Sequence, residues 1–290
     1  MNLLDTPLSA MTDQAAPSRC VVFRTSGHRR GPATRLMSPS DLGELLRPFV
    51  FLDHVDTRGA PQSQSGDYGL HPHSGIATLS WLLEGSVNYE DSMGRRGQLS
   101  HGWLEWMNAG GGAWHGGNLG DSGRVRGFQL WVALPPSAEL GEAESTYLAP
   151  HLIKRAGPVT VLLGSYGAAV SAIRPPSPMN YLSVKLKAGE GWRYQPPQGH
   201  TVAWAAVSVG SLLAPEGLHS GELAVFEESS DAIDFHAEVD TEFVLGSAVK
   251  HPHELVLGYY SVHTSVAALR EGEARIQKIG TRLRAEGRLR

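Results

Sequence analysis

Cysteine is almost missing from this chain: Cys20 is one residue in 290. A single thiol cannot close an internal disulfide or build a multi-cysteine metal cluster, and such scarcity suits a reducing compartment, so a cytoplasmic location is expected. Within SRCVVFR, Cys20 reads as a small apolar strand residue rather than a redox group. Excess positive charge is missing as well: 25 Lys and Arg stand against 29 Asp and Glu, a formal net charge of -4. The whole-protein field therefore attracts neither nucleic acid nor an anionic membrane, and neither is expected as a direct partner. No run of about 18 apolar residues offers a membrane-spanning helix. Residues 1–18 carry acids, no early basic cluster and no long apolar stretch; unlike a secretory signal, they read as a loose leader.

What the chain has in quantity is punctuation. With 34 Gly and 18 Pro, its apolar segments are short and bounded by turn residues, which predicts an all-β sandwich or barrel. In NYLSVKLKAG, Leu182, Val184 and Leu186 face one way and Ser183, Lys185 and Lys187 the other, the alternation of a half-buried antiparallel strand. Two helices are expected. SPSDLGELLRP has a Ser or Asp cap, Leu42, Leu45 and Leu46, and a stop at Pro48. The tail has Val266, Leu269, Ile276, Ile279 and Leu283 at roughly helical spacing, for packing on the outside of a sheet. Periodicity lapses around residues 135–155, which predicts two copies of one small barrel with a boundary near Leu152. The predicted division is a leader over 1–18, a first domain over 19–151 and a second over 152–290.

His71 and His73 flank Pro72 at the mouth of the strand that follows. Residues two apart on a strand share a face, so both imidazoles can converge on one point suited to a first-row metal. A third ligand is sought in the same half, and His115, after the glycine-rich NAGGGAWHGG, is the candidate. That glycine run lacks GxGxxG and a GK[ST] ending, so it reads as a tight turn and not a phosphate cradle. The alternative is a chance HxH among 13 histidines, and a second HPH at His251–His253 illustrates it. His251 and His253 have no glycine-rich histidine segment after them and read as surface or capping residues, and His54, His101, His200, His219 and His236 get the same reading. Trp81, Trp103, Trp106, Trp114 and Trp131 read as core or pocket wall.

RPFVFLDHV, HPHSGIATLSWLLEGSVNYEDSMGRRG, LEWMNAGGGAWH and GFQLWVALP occur in this order, and together they resemble the signature of the pirins of the cupin superfamily. The likeness is specific over residues 47–135 and fainter through VTVLLGS, LSVKLKAGEGW and LGYYSVHTS. It implies two cupin barrels face to face, with one mononuclear metal, usually iron, in the first and none in the second. Some pirins open a flavonol ring as quercetin 2,3-dioxygenases; others are regulatory or transcription-associated. Position by position, the family's ligand histidines fall on His71, His73 and His115. A fourth ligand, a glutamate two residues later, is replaced by Gly117, and a glutamate four residues after the histidine pair is replaced by Ala77. A carboxylate is a natural base for a substrate hydroxyl, so its loss weakens the catalytic reading. Glu105, on the strand before the glycine turn, is the substitute base if it points inward, though alternation does not fix its face. The expectation is therefore an Fe(2+) protein, other first-row metals being open, that acts as a dioxygenase on a small aromatic substrate. The alternative is a regulatory or binding bicupin with a weakened or absent metal and a protein partner.

Overall fold

The short apolar runs form strands, and in the computed structural model, which describes residues 18–58, 67–119 and 123–289, those strands close two barrels of the same plan. The first sets a seven-stranded sheet, ordered Glu144–Leu148, Leu104–Asn108, Ile76–Glu84, Arg126–Ala133, Phe49–Asp56, Ala33–Met37 and His28–Arg30, against a smaller one. That smaller sheet runs Asp67–His73, Ala113–Leu119, Ser86–Asp91, Arg96–Ser100. The second barrel repeats the plan with a central Val202–Val209, Thr241–Ala248 and Met179–Leu186, and a four-stranded sheet ordered Gly191–Tyr194, Ile233–Ala237, Ser211–Ala214, Glu216–His219. The all-β double barrel is as expected. No helix among the described residues is long and apolar enough to cross a membrane.

Strand alternation divides the two large sheets into an outer and an inner face. Leu79, Trp81, Leu83, Trp106 and Leu130 of the first barrel share one buried cluster with Met179, Tyr181 and Trp204 of the second. The barrels are thus held back to back by aromatic and aliphatic burial, at roughly 1.5–3 kcal/mol for each large side chain taken from water. Inside the second barrel, Leu182, Val184, Trp192, Tyr194, Phe235 and Phe243 pack a solid core. The first barrel keeps polar residues such as Ser80, Glu105 and Gln129 on its inner face, where they line a cavity.

At both ends the chain departs from a division at Leu152. Strand Val21–Thr25 pairs with Leu223–Phe226 at the edge of the second barrel. Buried Arg19 donates to the carbonyls of Asp231, Thr201 and His200, each at 2.8 Å. Cys20 is exposed and precedes that strand, so it is not the apolar strand residue expected. In the opposite direction, the C-terminal helix Val266–Ala285 docks on the first barrel, with Trp114 Nε1 donating to the Ile276 carbonyl at 2.9 Å. Its buried stripe is Ala268, Gly272, Ile276, Gly280 and Leu283. Two glycines let the helix approach closely, a pattern that a search for large apolar residues passes over; Val266, expected inward, is exposed. Strand Glu144–Leu148 falls inside the region of lapsed periodicity and pairs with Leu104–Asn108. The short helix Leu42–Leu45 is present, capped by Asp41. Residues 1–17 of the expected leader lie outside the described residues.

His54 and His200 are buried, not at the surface as expected. Together with His71 and His73, whose imidazoliums burial also pushes down, they should make the metal-free fold acid-sensitive. His54 Nε2 lies 3.0 Å from Ser208 Oγ across the barrel interface, and His200 Nδ1 lies 2.9 Å from Ser247 Oγ. Burial pushes both imidazoliums down to about 4, so each is neutral in the folded state where an unfolded chain would begin to protonate near pH 6.5. Their contribution is complete above pH 6.5 and is lost as pH falls towards 4, on the order of 1–3 kcal/mol each. Thermal melts of the metal-free protein should fall across this window, and His54→Gln should flatten part of the slope. A melting temperature constant from pH 6.5 to 4 contradicts the assignment.

Candidate metal centre

The strand Asp67–His73 brings its two histidines to one face, and the neighbouring strand Ala113–Leu119 pairs with it so that His115 lies directly opposite His71. Their ring centroids stand 5.0 Å (His71–His73), 4.7 Å (His71–His115) and 5.0 Å (His73–His115) apart. One nitrogen from each lies within 4.8 Å of the others. The structure thus brings together the three histidines that spacing suggested.

The other ring nitrogen of each histidine is already engaged. His71 Nδ1 donates to the Gly69 carbonyl at 2.9 Å, His73 Nδ1 to the Tyr260 carbonyl at 3.1 Å, and His115 Nδ1 faces Glu105 Oε1 at 3.4 Å. A hydrogen bond at Nδ1 fixes the tautomer and leaves Nε2 with a free lone pair. His73 is wholly buried and its Nε2 has no hydrogen-bond partner, a costly state for a structural side chain. Burial, then the charge of neighbouring His115, pushes the His71 imidazolium down to about 4, and burial pushes His73 well below its ordinary value. Both are therefore neutral near pH 7, the form in which imidazole ligates. Three oriented imidazoles, one of them with an unpaired buried Nε2, fit a first-row divalent cation.

This corner opens into a cavity of about 590 Å³. One wall is flat: Trp131 stacks on Phe51 at 4.0 Å and 7°, and the Arg35 guanidinium caps Phe51 at 3.9 Å while pairing with Asp53 at 2.5 Å. Tyr89 and Leu99 line the cavity too. Glu105 also belongs to it. On strand Leu104–Asn108, Leu104 and Trp106 join the inter-barrel core, so Glu105 takes the opposite, inner face and accepts from Ser80 Oγ at 2.6 Å. Burial pushes its carboxyl up, but hydrogen bonds from His115 and Ser80 and the nearby imidazoles outweigh this, and it sits below its ordinary value.

The second barrel shows what the same positions look like without such a corner. His71 pairs with His115 and His73 with Ala113 in the first; in the matching sheet Trp192 pairs with Phe235 and Tyr194 with Ile233. Three aromatic rings fill the positions that carry imidazoles in the first barrel. Among the described residues the other HPH forms no cluster with a third ligand: His251 is buried, against expectation, its Nδ1 turned to the His253 backbone, and His253 is exposed. Of the five first-half tryptophans, Trp131 alone lines the cavity; Trp81 and Trp106 lie in the inter-barrel core and Trp114 against the helix.

The Pirin family profile matches residues 31–132. A Pseudomonas aeruginosa protein named as a candidate quercetin 2,3-dioxygenase is 33% identical over 231 residues, 74% of this chain and 80% of its own. A pirin-like protein of Caulobacter vibrioides is 30% identical over 227 residues, 73% of this chain and 79% of its own. The chain belongs to the pirin family. A solved quercetin 2,3-dioxygenase from Acinetobacter baumannii shares the fold of this pirin-family chain with a TM-score of 0.82 at 23% identity, over 90% of this chain and 98% of that one.

Set against the family pattern, the two departures differ in kind. Ala77 joins Leu79 and Trp81 in the core between the barrels, so position 77 faces away from the histidines and its lost carboxylate does not weaken the corner. Gly117 is at the cavity wall, beside a bulge after His115, and a Cβ there would overlap the Asn88 carbonyl oxygen of the adjacent strand. In the sequence, Tyr260 is no more than one letter of LGYYSVHTS. No local pattern reveals that a residue 187 positions from His73 supplies its hydrogen-bond acceptor.

Proposed function

We propose that this chain is a non-haem metal protein in which His71, His73 and His115 hold one divalent cation and the first-barrel cavity admits a small aromatic, flavonol-like substrate for oxidative ring opening. The observation that carries this reading is His73 Nε2, buried and unpaired among three imidazoles whose Nδ1 atoms are all engaged. Bound there, a cation such as iron(II) would supply Lewis acidity towards a phenolic oxygen and a redox couple for dioxygen chemistry. The chain's own residues do the rest. Phe51, Leu82, Leu99 and Trp131 give the cavity an apolar wall against which an aromatic ring packs. Glu105 orients His115 and, ionised at neutral pH, is the proton acceptor on the cavity wall; the other acid there, Asp53, is already neutralised by Arg35.

One observation favours the second reading, a bicupin that binds without turnover: with glycine at 117 no carboxylate adjoins the imidazoles on their own strands. Elemental analysis of the purified protein, with oxygen uptake on adding a flavonol, separates the two. The dioxygenase reading expects about one metal per chain and uptake that Glu105→Gln slows by at least tenfold. Metal and flavonol binding without uptake leaves the binding protein, and a metal-free chain that cannot be reconstituted removes both metal readings.

A further inference from the structure

Tyr260 is the one described non-glycine residue with positive φ, at 55°. A tyrosine held in the left-handed region is strained, and such strain persists only where surrounding structure over-determines it. Here it points two parts of one residue at the same corner. The carbonyl accepts from His73 Nδ1 at 3.1 Å, and the ring lies 5.7 Å from His71 and 6.3 Å from Trp131, lining the cavity while 39% exposed.

The fastening is a buried polar chain immediately after it. His263 Nδ1 lies 3.1 Å from Glu139 Oε2 and its Nε2 lies 2.9 Å from Ser74 Oγ, while Ser74 Oγ donates to Ser261 Oγ at 2.9 Å. Glu139 also accepts from Thr264 N at 2.7 Å and Thr264 Oγ1 at 2.6 Å. Ser74, His263 and Glu139 have the order of a hydrolytic triad, yet all three are buried and no substrate reaches them. Their position gives them a structural role instead, because they clamp residues 261–264 to Ser74, the neighbour of His73. Gly75 completes the clamp, since a Cβ there would overlap the Val262 carbonyl oxygen.

We propose that Tyr260 is a positioning and gating residue of the first-barrel site: its left-handed backbone aims the carbonyl that orients His73, and its ring narrows the mouth through which an aromatic ligand enters. The gating half rests on the function proposed above; the positioning half does not need a metal. Tyr260→Gly and Tyr260→Val separate them. Both remove the ring, but only glycine keeps the left-handed backbone without strain, because a β-branched residue resists it. In the metal-free protein, nitrogen NMR of His73 should show the Nδ1–H tautomer in wild type and Tyr260→Gly and a mixture in Tyr260→Val. On titration with cobalt(II), the visible spectrum and affinity of Tyr260→Gly should match wild type within about twofold, while Tyr260→Val binds at least tenfold more weakly. Both variants should lose selectivity between flat flavonols and bulkier phenols, and Tyr260→Phe should restore it. Identical His73 tautomer and cobalt affinity in Tyr260→Val overturn the positioning role, and unchanged selectivity in both overturns the gate. A wild type that binds no cobalt while the tautomer pattern holds refutes the metal reading alone.

Discussion

Replacing His73 by alanine is expected to abolish stoichiometric metal binding while leaving the metal-free barrel folded. Buried histidines differ in how their ring nitrogens are satisfied, and an unpaired Nε2 marks a ligand only beside other imidazoles, since His251 Nε2 also lacks a partner but has no such cluster among the described residues. His54 and His200 have serine hydroxyls at hydrogen-bond distance, and a polar group so satisfied is part of the scaffold. His73 has no exposed surface, yet its Nε2 has no partner, so the metal-free fold bears a desolvation cost of about 1–3 kcal/mol there. Alanine removes that cost along with the ring, which offsets part of the roughly 2–4 kcal/mol that a buried large-to-small change otherwise loses. Metal affinity has no such offset. It should fall by more than about 100-fold, beyond the 10–100-fold typical of disturbing a ligand's outer partner. The check is a pair of melts. Metal at about 100 times its Kd stabilises the wild type by about 2.7 kcal/mol, a rise of several degrees, and should leave His73→Ala unmoved. A metal-dependent rise of equal size in the variant would show that the cation sits elsewhere.

The parts of this site that were legible in sequence are those set by spacing of two. HPH puts two rings on one face because strand geometry leaves no choice. NYLSVKLKAG is likewise a strand, but not half-buried as expected: Tyr181 on its second face packs in the inter-barrel core, Ser183 is buried too, and within Met179–Leu186 only Lys185 is exposed. Glu105 was ambiguous only until its neighbours were placed: Leu104 and Trp106 go to the inter-barrel core, which turns Glu105 to the cavity. Alternation likewise turns Ala77 away from the metal corner, together with Leu79 and Trp81. What periodicity could not convey is contact between distant segments. The edge pairing of Val21–Thr25, the glycine stripe of the last helix and the Tyr260 carbonyl each depend on where a remote piece of chain comes to rest. Nothing in a window of about ten residues encodes that.

Restoring the family's glutamate by Gly117→Glu is expected to destabilise the first barrel without raising metal affinity. Gly117 lies in register with Tyr89, and its missing Cβ leaves room for the Asn88 carbonyl oxygen to approach. Any side chain therefore meets backbone, not a flexible tip that could swing aside. Strand Ser86–Asp91 cannot simply retreat, because its other edge is paired with Arg96–Ser100. Overpacking of this kind costs about 1–3 kcal/mol, and parting the ladder adds about 1 kcal/mol for each hydrogen bond lost. A fall in melting temperature of roughly 5–10 °C follows. Gly117→Ala carries the same Cβ and should lose most of the same stability, which identifies the atom responsible. A Gly117→Glu protein that melts like wild type and binds metal more tightly would mean that the strand yields and the missing carboxylate was the only deficit. The expected result instead places the site's negative charge on Glu105, which reaches His115 from the facing sheet, so that a carboxylate acts on the cation through an imidazole. Such a centre keeps more positive charge at the metal than one with a directly bound carboxylate, and favours anionic, phenolate-like ligands over neutral ones.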